Sequence, residues 1–175
     1  MKKVCLVPMQ EEHIVRYLKL SGDPALISTM GWAPFQHDER ERFLQSLETT
    51  TIPGHESGLP IRLSIVTSKE ALPIGYVVLI RLASAKNTAE LAIAIMERGY
   101  REGGYGSEAL RLAIAYAFER LQVSRIMLTV FPYNSRAIHV YEQCGFKKTQ
   151  LLTKAWTLPD HTKADMLVME FEKAQ

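Results

Sequence analysis

The chain has 175 residues, 47% of them hydrophobic and 23% charged, with a formal net charge of +2. That length suits one domain over residues 1–175 with a core of its own, and without a Lys/Arg run no nucleic-acid or anionic-membrane surface is expected. Cys5 and Cys144 form no C-x-x-C, the histidines show no H-E-x-x-H spacing, and no apolar stretch has signal or transmembrane length. These features predict a reduced cytoplasmic setting without disulfide framework, metal or membrane span.

Val4 to Val7 reads as a short strand closed by Pro8, and Glu11 to Leu20 as a helix with Ile14, Tyr17 and Leu18 at helical spacing. Ser21-Gly22-Asp23-Pro24 ends that helix, and a second is expected from Asp38 to about Thr49 with Phe43, Leu44 and Leu47 inward. The connection carries Trp32 and Phe35, which either anchor it to the core or line a substrate cleft. Thr50 to Pro60, rich in glycine and proline, predicts a mobile surface loop suited to a lid. Arg62 to Thr67 and Ile74 to Leu82 predict an antiparallel hairpin around Ser68-Lys69-Glu70. In Ala89 to Met96, Leu91, Ile93 and Ile95 alternate with Glu90, Ala92 and Ala94, so one face of the strand is bulky and the other shallow. The shallow face either accepts a ligand or packs under a bulky neighbour.

Glycines 103, 104 and 106 lie just before a helix whose apolar residues Leu110, Ala113, Ile114, Ala117, Phe118 and Leu121 keep helical spacing. Glycines let successive backbone N–H groups face one anion, and the helix start adds unpaired amides and the positive end of its dipole. Gly104-Tyr105-Gly106-Ser107-Glu108-Ala109 satisfies G-x-G-x-x-G/A. A dinucleotide fold, however, needs the first glycine almost directly after its strand and an acid ending the next one. Here the preceding strand ends well before Gly104, and Arg125 to Phe131 ends in Pro132-Tyr133-Asn134. The Lys-Ser/Thr of a nucleoside triphosphate loop is missing too. Ser135 to Cys144 then predicts a short helix stopped by Gly145, and Phe146 to Leu152 with Asp165 to Phe171 a closing antiparallel pair.

Arg101-x-x-Gly104-x-Gly106, with a strand before it and a long helix after, resembles the acyl-CoA-binding motif of the GNAT N-acetyltransferases. Asn134 to Phe146 is similar to that family's N-x-x-A-x-x-x-Y-x-x-x-G-F segment. The resemblance implies an α/β (α+β) GNAT fold: a mixed, mostly antiparallel sheet of about six to seven strands flanked by about four helices. It further implies transfer of acetyl from acetyl-CoA to a primary amine by direct attack in a ternary complex. Residues Arg101, Glu102, Gly103, Gly104, Tyr105, Gly106 and Ser107 would then grip the pyrophosphate, and the backbone of Ile95 and Met96 would bond the pantetheine arm. Asn134 matches the asparagine that bonds the cofactor arm, although it is also a good helix N-cap. Tyr141 matches the tyrosine that protonates the departing thiolate. Glu90 is the general-base candidate, with a water relay as the other. In layout the chain is most similar to the branch that modifies ribosomal-protein N-terminal amines, which also includes enzymes for small amines. The reading leaves room for a homodimer, and the alternative function is a non-catalytic acyl-CoA sensor.

Overall fold

The alternating strands and periodic helices assemble, in the computed structural model, into one twisted sheet covered on both faces; the structure describes residues 1–48, 57–83 and 85–174. The strands are β1 (Val4–Pro8), β2 (Ser57–Thr67), β3 (Pro73–Leu82), β4 (Thr88–Ile95), β5 (Arg125–Val130), β6 (Lys147–Thr157) and β7 (Lys163–Glu172). Their spatial order is β1-β2-β3-β4-β5-β7-β6, and every neighbouring pair is antiparallel except β4 with β5. The helices are α1 (Glu11–Leu20), α2 (Pro24–Met30), α3 (Arg40–Glu48), α4 (Tyr105–Arg120) and α5 (Ser135–Gln143).

Strand alternation divides the core in two. Leu91 and Ile93, with Val77 and Leu79 beside them on β3, face the layer of α4 and α5 and pack against Leu110, Ala113 and Ile138. Ala92 and Ala94, with Tyr76 and Val78 beside them, face α1 to α3 and meet Tyr17, Leu26, Trp32 and Phe43. Both layers bury predominantly apolar side chains, which is the main drive to this arrangement.

The largest departure from the sequence reading is α2. Asp23 caps its start by accepting the Ala25 N–H, Pro24 occupies the first turn, and Gly31 closes it in the left-handed region at φ 64°. These are ordinary helix start and stop residues. The predicted loop from Thr50 lies outside the described residues up to residue 56, and Ser57 to Pro60 belong to β2 instead. Likewise β6 runs past the predicted end at Leu152 to Thr157, so Trp156 is part of it.

One irregularity of the sheet creates the site. The parallel pairing of β4 with β5 covers only Thr88 to Glu90 against Arg125 to Met127, although β4 continues to Ile95 and β5 to Val130. Beyond Glu90 the two strands separate, and a cavity of about 700 Å³ passes through the opening. It is lined from one side by α4 and α5 and from the other by α2 and Trp32.

Candidate active site

The phosphate end of the cavity is built by the glycine loop. Glu102 (φ 77°) and Gly104 (φ 79°) are both left-handed, a conformation that turns neighbouring N–H groups toward one concavity and suits an anion. The first bond inside α4 runs from the Glu108 N–H to Gly104 O at 3.1 Å. The amides of Tyr105, Gly106 and Ser107 therefore have no acceptor within the helix, and they sit at its positive end. A Cβ at Gly106 would lie 3.5 Å from Ile95 Cγ1, an ordinary contact, so the protein's own packing does not demand glycine there.

The loop is braced from behind by a group the sequence did not reveal. The Lys3 ammonium donates to Gly103 O at 2.6 Å, while the N–H groups of Lys3 and Val4 donate to Glu108 Oε1 at 2.8 and 3.3 Å. In front of it, Glu102 pairs with Arg136 at 2.8 Å, so its contribution to a phosphate site is its backbone.

Arg101 departs from its expected role. Its guanidinium donates to Ile95 O (2.9 Å), Met96 O (2.7 Å) and Asp23 Oδ2 (2.7 Å). Three protein acceptors occupy the side chain that was expected at the phosphate, and it ties the end of β4 to the N-cap of α2. At Asp23, partial burial opposes ionisation, but the Ala25 amide and the Arg101 guanidinium outweigh it and hold the carboxyl below its usual range. The far end of α2 is tied as well: the Trp156 indole N–H donates to Gly31 O and the Tyr133 hydroxyl to Ser28 O, each at 2.8 Å. Thus α2 spans the opening between the parted strands, pinned on both banks.

Met96 is also reassigned. Its N–H donates to Ile74 O at 2.8 Å and its O accepts from Arg101, so its backbone serves the sheet edge. The Met96–Ile74 bond fixes the strand parity: Ala92 and Ala94 bond β3, whereas Ile93 and Ile95 turn their N–H and C=O groups toward β5. With β5 parted from β4, the edge groups of Ile93 and the Ile95 N–H are left toward the cavity, and the Ile95 carbonyl accepts from Arg101. Ile93 and Ile95 both line the cavity, whereas Met96 does not.

Glu90 stands at the apex of the opening, the last β4 residue paired with β5, and is only 7% exposed. Its side chain shares the buried face of Ala92 and Ala94 and lines the cavity. Tyr141 lines the same cavity from α5, half-buried, its ring 6.0 Å from that of Phe146. Burial pushes its phenol up to about 12. Asn134 caps α5, its Oδ1 accepting the Ala137 N–H at 3.2 Å, and also lines the cavity. Trp32 anchors its loop edge-on to Phe35 and Phe43 and also forms part of the cavity wall. No cluster of metal-ligating side chains occurs among the described residues.

The acetyltransferase (GNAT) domain profile matches residues 3–147. The chain belongs to the GNAT acetyltransferase family. It is 32% identical over 85 residues to spermidine N(1)-acetyltransferase of Vibrio cholerae, covering 49% of each chain. It is 24% identical over 163 residues, 88% of this chain and 66% of the relative, to the FsC-acetyl coenzyme A-N(2)-transacetylase of Aspergillus fumigatus. The chain thus spans about half to two thirds of the length of the curated relatives it matches. Among solved structures, the Vibrio cholerae spermidine N-acetyltransferase in complex with CoA and spermine superposes with a TM-score of 0.79 at 20% identity, covering 98% of this chain and 96% of that one. These matches establish family and fold, and they do not single out the ribosomal-protein N-terminal branch.

Proposed function

We propose that this protein is an N-acetyltransferase that moves acetyl from acetyl-CoA to a primary amine by direct attack within a ternary complex. The observation that carries this reading is the continuous cavity through the sheet: it joins the α4 N-terminus, the free edge of β4, Tyr141 and Glu90. Acetyl-CoA supplies the activated acyl group. The amides at the start of α4 bind its pyrophosphate, and the edge groups of Ile93 with the Ile95 N–H hold the arm and polarise the thioester carbonyl. Glu90, directly or through water, takes a proton from the attacking amine. As the new C–N bond forms and the C–S bond breaks, the Tyr141 hydroxyl delivers a proton to the sulfur. A phenol of raised pKa is suited to this because the same apolar surroundings also raise the basicity of a thiolate.

Both small-molecule amines and protein N-terminal amines are compatible with this chemistry, and the spermidine acetyltransferases are examples of the former. A sensor that only binds acyl-CoA would need neither Tyr141 nor a second compartment beyond the thioester. The test is CoA release from acetyl-CoA with a panel of primary amines. Tight CoA binding with no amine-dependent release from any of them would reject the transferase in favour of the sensor.

A further inference from the structure

The chemical class of the acceptor follows from the far half of the cavity, and this step rests on the transferase reading. Past the β4 edge, the wall under α2 is formed by Leu26, Met30, Trp32, Leu47, Phe131 and Trp156. Only two carboxylates line the whole cavity among the described residues, Glu90 and Glu102. Glu102 lies at the phosphate end, paired with Arg136. Among the described residues the acceptor half therefore offers one carboxyl group, at its base, in a wall made mainly of apolar and aromatic side chains with the hydroxyls of Thr29, Ser46 and Tyr76. The pinning of α2 by Asp23–Arg101 at one end and by Trp156 and Tyr133 at the other keeps that enclosure roofed.

We infer that the acceptor is a compact primary monoamine with an apolar body, an arylalkyl or alkyl amine, and not a polyamine. A monoamine seats its single nitrogen at Glu90 and its hydrocarbon against Trp32, Trp156 and Met30, so that each part meets its own kind of surface. A polyamine would carry further ammonium groups into a wall that has no other carboxylate among the described residues, and burying an unpaired charge is strongly unfavourable. An extended peptide would bring backbone N–H and C=O groups into the same wall, where unmade hydrogen bonds carry a similar penalty.

The inference is tested by comparing kcat/KM for phenethylamine and n-hexylamine with that for spermidine and for a short peptide with a free N-terminus. The expected result is a preference of about 10-fold or more for the monoamines, the factor that one unmet charge-assisted hydrogen bond commands. A second arm uses Thr29→Glu, which adds a carboxylate on α2 at a cavity-lining position. It should move the spermidine-to-phenethylamine ratio upward by about 10-fold. Spermidine or the peptide preferred by the unaltered protein would overturn the inference while leaving the transferase intact. No turnover of any amine, with CoA still bound, would remove the transferase reading and this inference together.

Discussion

Tyr141→Phe separates chemistry from architecture in this site. The change deletes one hydroxyl and leaves the ring in its contact with Phe146, 6.0 Å between centroids. Among the described residues that hydroxyl has no protein hydrogen-bond partner, so the substitution opens no cavity and orphans no buried group. Stability should change by no more than about 0.5 kcal/mol, or roughly 1–2 °C in Tm for a chain of this size. Turnover should fall by about 10²- to 10⁴-fold, the usual contribution of a positioned general acid. Acetyl-CoA affinity should remain near that of the unaltered protein, placing the loss in kcat. The pH profile supplies a second check. With the phenol raised to about 12, Tyr141 keeps its proton throughout the neutral and mildly alkaline range. An alkaline loss of kcat centred below pH ~10 therefore belongs to another group and should persist in Tyr141→Phe. A variant with unaltered kcat refutes the assignment; one with a lowered Tm and unaltered turnover makes Tyr141 a packing residue.

Arg101→Ala should lower stability by about 2–3 kcal/mol, because it leaves Asp23 and the carbonyls of Ile95 and Met96 without their donor. Binding of acetyl-pantetheine, which lacks the pyrophosphate, should weaken along with that of acetyl-CoA; an effect confined to acetyl-CoA by calorimetry would restore Arg101 as a phosphate ligand. Tyr17, fully buried, has its phenol raised by burial from 10.0 to about 12 against smaller opposing effects that include its hydrogen bond to Gly75 O. Its neutral form is the one the fold favours, so its contribution is intact below pH ~10 and is lost as pH rises toward the folded value, about 2.7 kcal/mol in all. Melting curves from pH 9 to 12 should fall more steeply for the unaltered protein than for Tyr17→Phe, and parallel curves would contradict the assignment.

The parts of the site that were legible in the sequence are those whose geometry is local. The glycine loop with α4, and Asn134 capping α5, are fixed by neighbours a few residues away, so glycine spacing indicated where the amides would lie, and the family resemblance pointed to Tyr141 on α5. By contrast, α2 is short and keeps only Leu26 fully inside, which gives a weak periodic signal. The Asp23-Pro24 start and Gly31 stop were present as hints. What confirms the helix comes from Arg101, Tyr133 and Trp156, which are remote in sequence. The same limit explains Arg101. A motif places an arginine beside a phosphate loop, but only the fold shows that carbonyls at the end of β4 reach its guanidinium first. Trp156 was hidden by the irregular register of β6 against β7 between Leu152 and Trp156, which interrupts the alternation that marks a strand.

The opening between β4 and β5 is set from the opposite edge of β4. A Cβ at Gly75 would sit 2.2 Å from Ala94 O, so only glycine lets β3 press this closely on β4. At the next position Ile74 O accepts both the Met96 and Glu97 N–H groups, at 2.8 and 3.0 Å, and β4 ends there. The Tyr17 hydroxyl donates to Gly75 O, fixing this stretch against α1. Arg101 then takes the carbonyls of Ile95 and Met96 and links them to α2. Each contact holds β4 toward β3 and α2, and none reaches β5. The backbone groups of Ile93 and the N–H of Ile95 are therefore kept from strand pairing by the folded protein itself, while the Ile95 carbonyl is held by Arg101. A ligand that adds to this edge meets groups already oriented and separated, so its binding need not supply the free energy of opening the sheet.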